Sequence, residues 1–245
     1  MPDLFALEAV TVRGHGRPRL DAVSCRVRAG GITAVVGPSG SGKSTLLRCC
    51  NRLVAPDEGS VAYRGADLAT VDVLAHRREV GMVFQRPVPF AGTVLENLRV
   101  ADPDIGEDAA GALLERVALD AAVLGRDADE LSGGEAQRMG LARTLAAGAA
   151  SVGGASGLRV LLADEPTASL DADAARELER LLRGLTDDGV DVLLVSHDPD
   201  QVRRIADRTV ALERGRVLDR HEAGVGGPAG SDRTSRAHEA GGGTP

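Results

Sequence analysis

The run Gly37-Pro38-Ser39-Gly40-Ser41-Gly42-Lys43-Ser44-Thr45 has the residue types to bind phosphate. Its spacing is G-x-x-x-x-G-K-S. Glycines let a backbone wind close to an anion with its amide N–H groups turned inward. The helix that begins at Lys43 adds the positive end of its dipole. Lys43 reaches toward terminal phosphates, and Ser44 offers a hydroxyl to a magnesium ion. A Gly/Ser turn before a helix can also be purely structural. Here a β-branched run at residues 32–36, the loop, the lysine and a helix follow in the required order, which favours the phosphate site.

A second pattern supplies acids. Val160-Leu161-Leu162-Ala163-Asp164-Glu165 is an apolar run that ends in two carboxylates. Beside a phosphate-binding loop, Asp164 suits a magnesium ion, and Glu165 suits holding and polarising an attacking water. Phosphoryl transfer is mostly positioning and charge stabilisation, so one well-placed carboxylate is enough. Two acids after a strand often just begin a loop, and the pairing with Lys43 is what gives them weight. A third pattern, Leu131-Ser132-Gly133-Gly134-Glu135-Ala136-Gln137-Arg138, opens a helix expected over residues 135–146. Its start presents a hydroxyl and free amides. A chain with two anion-ready helix starts binds two anions, or shares one between two copies.

These residues need elements to hold them. Short apolar runs at 32–36, 160–163 and 192–195 predict buried parallel strands. Residues 4–12, 22–27 and 60–63 alternate, which predicts an antiparallel layer. Residues 209–212 and 216–218, separated by Arg214-Gly215, predict a hairpin, and 43–53 a helix. Ala110, Leu113, Leu114, Val117, Ala121 and Leu124 recur at helical spacing. They lie in residues 102–130, which hold nine acids and two arginines. A solvated acidic helix face is the plain reading, and a charged docking surface the sharper one.

Composition narrows the choice of function. With 43% apolar and 27% charged residues, the 245-residue chain is neither wholly disordered nor fibrous. Acids outnumber bases 36 to 29, which argues against a broad basic nucleic-acid surface. Of those 29 bases only Lys43 is a lysine. Cys25, Cys49 and Cys50 form no C-x-x-C and are odd in number, so a reducing compartment is expected. Residues 1–10 lack the features of a signal peptide. The longest uncharged stretch, 144–158, has 15 residues and is too short to span a bilayer. Any membrane crossing is then left to another chain. Residues 147–157 are Ala, Gly and Ser with one valine and are expected to form an exposed flexible loop that leaves the chemistry intact. Residues 221–245 are expected to be a disordered tail.

Gly37 to Thr45, Gln85, Leu131 to Arg138, Val160 to Glu165, Ser169-Leu170-Asp171 and His197 together resemble ATP-binding cassette (ABC) ATPases in order and spacing. The resemblance spans about residues 4–220, within an expected cassette of 1–220, and the LSGGE-type signature beside the phosphate loop is specific to that family. It implies an α/β P-loop core with an N-terminal antiparallel β layer and a helical subdomain inserted at about 85–143. It implies ATP and Mg²⁺ as ligands. Two copies would face head to tail, each ATP meeting Lys43 and Ser44 of one copy and Ser132, Gly133 and Gly134 of the other. Gln85 would complete the Mg²⁺ shell with Ser44 and Asp164 and would sense a permease. Glu165 would be the general base, Asp171 would cross the interface, and His197 would contact the γ-phosphate. The expected partner is a transmembrane permease at the cytoplasmic face of the membrane, joined in an importer by an extracytoplasmic solute-binding protein, with no nucleic acid.

Phe84-Gln85-Arg86-Pro87-Val88-Pro89-Phe90 and Thr93-Val94-Leu95-Glu96-Asn97-Leu98 resemble the ATPase subunits of phosphate importers. Amino-acid and metal-ion transporters, exporters included, share much of this pattern. A soluble ABC ATPase of DNA repair or ribosomes is a different-class alternative, disfavoured by the single cassette and the lack of a coiled coil. A degenerate module that senses ATP ranks behind both, because every hydrolytic position is filled. The family usually places an adenine-stacking aromatic well before the phosphate loop. Counting back 23 residues from Gly37 lands on Gly14, beside His15. Either His15 stacks through its imidazole or residues 13–17 are a plain surface loop, and weak discrimination between ATP and GTP is expected.

Overall fold

The computed structural model describes residues 2–149, 157–168 and 170–218. Ser169, most of the 147–157 run and the 221–245 tail lie outside the described residues. In chain order the strands are β1 (Asp3–Val12), β2 (Leu20–Arg28), β3 (Ile32–Val36), β4 (Glu58–Tyr63), β5 (Ala66–Asp67), β6 (Val80–Val83), β7 (Val160–Asp164), β8 (Asp191–Val195), β9 (Arg208–Glu213) and β10 (Arg216–Val217). The α-helices are α1 (Lys43–Cys50), α2 (Val73–Glu79), α3 (Val94–Ala101), α4 (Glu107–Arg116), α5 (Gly133–Ala149), α6 (Ala172–Asp187) and α7 (Pro199–Ile205).

Two sheets form, as the two hydrophobic patterns require. The alternating strands pair antiparallel in the order β2-β1-β4-β5. The continuous apolar strands make the second sheet, β10-β9-β3-β8-β7-β6. Its pairs from β9 to β6 are parallel, and β10 closes the edge as an antiparallel hairpin. Every residue of β7 and β8 is buried, because both faces of this sheet are covered. One core lies between the sheets and around α1, with Phe5, Leu20, Val35, Leu46, Leu162 and Leu193. The other packs α3, α4, α5 and α6 on the opposite face, with Leu98, Leu114, Met139, Leu161, Leu178 and Leu194. The helices inserted between β6 and β7 therefore share the core of the sheet and have none of their own.

Three elements differ from the sequence reading, each for a local reason. Helix α1 stops at Cys50, short of Leu53. Asn51 caps it and donates its side-chain amide to the Val80 carbonyl at 2.5 Å. Arg52 then takes the left-handed region at φ 54, which no helix continues through. In the acidic stretch only Glu107–Arg116 is α-helical. Ala118 reverses at φ 56, and two short 3₁₀ turns follow at Ala121–Gly125 and Ala128–Glu130. Asp120 and Asp127 cap those turns by accepting from the backbone amides of Ala122 and Asp129. Some of the acids thus cap the starts of turns as well as facing solvent. Helix α5 begins two residues earlier and ends three later than the expected 135–146.

Candidate active site

Strand β3 delivers the chain to the phosphate loop at the carboxyl edge of the parallel sheet. Gly37, Gly40 and Gly42 all have positive φ, at 144°, 72° and 108°. A Cβ on Gly37 would stand 2.0 Å from the Leu212 carbonyl oxygen of β9, and one on Gly42 2.5 Å from the Arg19 carbonyl. The loop is thus pressed between β9 and the residue that leads into β2. The Arg214-Gly215 turn secures it, with the Gly215 amide donating to the Ser41 carbonyl at 3.0 Å. Replacing Gly37 by alanine forces a backbone clash that no rotamer relieves. Gly37→Ala is expected to cost at least about 2 kcal/mol of stability and to weaken nucleotide binding. Urea denaturation checks the first effect, and an unchanged midpoint and slope would refute it.

Two side chains in the loop are suited to phosphate oxygens. The Ser41 hydroxyl is buried and has no hydrogen-bond partner, which is costly unless an acceptor arrives. Lys43 is 6% exposed and curls back, its Nζ donating to the Gly37 and Pro38 carbonyls at 2.8 and 3.0 Å. An ammonium held only by neutral carbonyls is poorly compensated, and phosphate oxygens would compensate it better. These groups fit a nucleotide's phosphates.

Below the loop, the Ser44 hydroxyl donates to Asp164 Oδ1 at 2.8 Å. Burial pushes the Asp164 carboxyl above the usual range, while the Ser44 hydrogen bond and Arg48 pull it back. A buried carboxylate beside a hydroxyl has the hard-oxygen character that a magnesium ion takes, with water and phosphate filling its other positions. Among the described residues no group of three or more His, Cys, Asp or Glu forms a complete protein cage.

Glu165 follows β7 with φ 49. A non-glycine residue there costs about 1–2 kcal/mol, and such outliers concentrate at functional sites. Its amide donates to the Val195 carbonyl of β8 at 3.1 Å. Gln85 Nε2 donates to Glu165 Oε2 at 3.3 Å, and His197 Nδ1 lies 3.3 Å from the same oxygen. Two residues, from the ends of β6 and β8, thus converge on the carboxylate at the end of β7. A cleft of 620 Å³ joins this point to the phosphate loop, lined by Lys43, Ser44, Gln85, Glu165 and the β1–β2 loop, His15 included.

The other predicted site residues lie elsewhere. Ser132, Gly133 and Gly134 line no part of that cleft. Ser132 and Glu135 form a reciprocal cap at the start of α5: the Ser132 amide donates to Glu135 at 2.8 Å and the Glu135 amide to Ser132 Oγ at 3.3 Å. The Ser132 hydrogen bonds, aided by Arg126, hold the Glu135 carboxyl below its usual range. Gly133 and the Ser132 side chain remain exposed. Asp171 caps α6, accepting from the amides of Asp173 and Ala174 at 3.0 and 2.9 Å. Sequence reasoning missed two groups. Arg17 and Arg19 line the cleft with no motif to announce them. Gln201 ties Thr167, just past Glu165, to the buried Glu179 of α6, which Arg204 of α7 also grips. That network braces the turn after Glu165 against the helix that follows His197.

A family model described as ABC transporter matches residues 20–168. The chain belongs to the ABC transporter family. A methionine import ATP-binding protein of Caulobacter vibrioides is 40% identical over 83% of this ABC ATPase domain and 62% of its own length. A phosphonates import ATP-binding protein of Ruegeria sp. is 37% identical, over 84% of this chain and 83% of its own. The chain spans only 58% to 62% of the length of two of the curated relatives it matches. Among solved structures, a dimeric ATP-binding cassette in a post-hydrolysis state with ADP and Pi is similar at 29% identity. Its TM-score is 0.76, covering 89% of this chain and 98% of that one. The similarity reaches importers of chemically unlike solutes, so the likeness of residues 84–98 to phosphate importers does not single out phosphate. No helix among the described residues is long and apolar enough to cross a membrane.

Proposed function

We propose that this ABC ATPase domain hydrolyses Mg-ATP as one of two paired copies and so energises import of a small solute through a separate membrane permease. The observation that carries the hydrolytic reading is the convergence of Gln85 and His197 on Glu165 Oε2, each at 3.3 Å, at the edge of the phosphate-loop cleft. In this reading Lys43, Ser41 and the loop amides hold the phosphates, and Ser44, Gln85 and Asp164 hold Mg²⁺. The metal, when bound, neutralises phosphate charge. Glu165 accepts the proton of the attacking water, while His197 and Gln85 orient the carboxylate and meet the terminal phosphate. The separation of Ser132–Gly134 from the cleft supports pairing: a second copy, turned head to tail, brings an uncovered helix start to the first copy's phosphates.

The permease reading rests on a different surface. Leu53, Phe84, Pro87, Phe90 and Val100 line an apolar groove of 340 Å³ beside α5. Phe84 and Phe90 stay 41% and 50% exposed, which a solvated surface gains nothing from. Arg143 covers one face of the Phe90 ring at 4.7 Å. Phe84 directly precedes Gln85, so a partner in the groove would be felt at Glu165. The likeness of residues 84–98 to phosphate importers favours a small solute such as phosphate, with an extracytoplasmic binding protein as third component. Phe90→Asp is expected to abolish co-purification with the permease from gently solubilised membranes and to leave basal ATPase within about twofold. Retained co-purification would remove the groove from the interface.

A further inference from the structure

Glu165 stands between two cavities. On one side is the nucleotide cleft. On the other is a chamber of about 440 Å³, lined by Thr167, Ser196, His197 and Gln201 as well as by Glu165 itself. Helices α6 and α7 form the rest of its wall. The turn after Glu165 begins from a left-handed residue, and past that point its backbone bonds are local ones. The Ala168 amide donates to the Glu165 carbonyl at 3.2 Å, and the Leu170 amide to the Thr167 carbonyl at 3.1 Å. Neither bond fixes the turn against the two helices beside it.

Gln201 supplies that tie from α7. It is 2% exposed, and its Nε2 donates to Thr167 Oγ1 at 3.0 Å and to Glu179 Oε1 at 3.2 Å. Turning the amide over would set its oxygen against the Glu179 carboxylate, so the donors have one orientation. Its own Oε1 then has no partner among the described residues. For stability alone a methionine would serve as well, because it fills the same space and orphans no polar atom. Glu179 does not depend on Gln201 either: Arg204 donates to both its oxygens, at 3.0 and 2.7 Å. What the amide adds is direction. It joins Thr167, two residues after Glu165, to the helix that starts two residues after His197. A buried hydrogen-bonded network of this kind selects one arrangement of the parts it joins.

Resting on the hydrolytic reading above, we infer that Gln201 is a positioning residue for hydrolysis: by tying Thr167 to α7 it sets the separation of Glu165 and His197, and so aims the carboxylate at the attacking water. That separation is 3.3 Å. Gln201 lines the chamber and not the nucleotide cleft, so it acts through Glu165 and leaves the nucleotide's own contacts alone. A misplacement of about 1 Å at reacting atoms can cost about 100-fold in rate. The Glu165 amide stays anchored on Val195, so the loss of one tie further along the turn should cost less than that.

The test is ATP hydrolysis by the full chain, at steady state and in single turnover, with ATP affinity measured separately by equilibrium binding. Gln201→Met keeps the length of the side chain, removes both donors and leaves Glu179 to Arg204. It is expected to lower kcat about tenfold and to keep ATP affinity within about twofold. Thr167→Val cuts the same tie from its other end and leaves the buried contacts of α6 and α7 in place, so it carries the test if Gln201→Met folds poorly. It should lower kcat as far, while Thr167→Ser, which keeps the hydroxyl, should stay within about twofold of the wild type. The decisive measurement is made in the Glu165→Gln background. A residue that works by aiming Glu165 has nothing left to aim there, so Gln201→Met should slow the residual turnover by less than about twofold. Unchanged kcat in Gln201→Met and Thr167→Val overturns the inference. So does the same loss in both backgrounds, which would make Gln201 a structural brace alone. Turnover of Glu165→Gln itself within tenfold of the wild type would overturn the hydrolytic reading, and the inference with it.

Discussion

Glu165→Gln is expected to bind Mg-ATP within about twofold of the wild type and to release phosphate at least about 100-fold more slowly. The amide has nearly the shape of the carboxylate and can keep the contacts with Gln85 and His197 that define its position. It cannot take a proton from water. General-base assistance is typically a factor of about 10² to 10⁴ in rate, so its loss dominates any small change in binding. Slow hydrolysis should also trap the closed pair of copies, because the ATP that joins them persists. Steady-state phosphate release and size-exclusion chromatography with ATP read the two effects. Turnover within tenfold of the wild type would move the base elsewhere, and an ATP-loaded variant that stays monomeric would count against the pairing.

Lys43→Arg should be nearly as damaging, although the charge is unchanged. Lys43 Nζ sits between the Gly37 and Pro38 carbonyls, within 3.0 Å of each, and the residue is buried. A compact ammonium on a slim stem can leave those carbonyls and reach between phosphates. A guanidinium is broader and planar, and the loop that would have to widen is pinned at Gly37 by Leu212 and at Ser41 by Gly215. Overpacking of that kind costs about 1–3 kcal/mol, which is about five- to 150-fold in affinity. ATP affinity is expected to fall more than tenfold and hydrolysis to reach background. Near-normal turnover would show that the loop tolerates a generic cation, and that the single lysine among 29 bases is chance.

Much of the fold was legible because two kinds of sequence signal are local. Continuous apolar runs gave β3, β7 and β8, and alternation gave the antiparallel layer, while β6 and the parallel pairing of β9 with β3 were not read. The phosphate loop was legible because its backbone angles demand glycine at set positions, a requirement written in the chain itself. What failed depended on distant partners. The end of α1 is decided by the Val80 carbonyl that Asn51 finds, 29 residues on. Helix α6 is the exception, because Leu178, Leu182 and Leu185 share its buried face at a spacing that is local. The arginines of the cleft wall carry no motif: Arg17 is placed by the course of the β1–β2 loop over Gly40. Likewise nothing local says that Gln201 would brace Thr167.

The hold of Gly215 on Ser41 also sets an order in time. These residues are 174 positions apart, and Leu212 and Gly37 are 175 apart. Contacts so distant in sequence form late, after the cost of closing a long loop has been met. During synthesis the phosphate loop emerges early, with neither of its clamps. A nascent chain lacking β9 and β10 should therefore hold its first sheet while failing to retain nucleotide. Competence would then arrive with β9 and β10, and a fragment released before them would be unable to capture ATP.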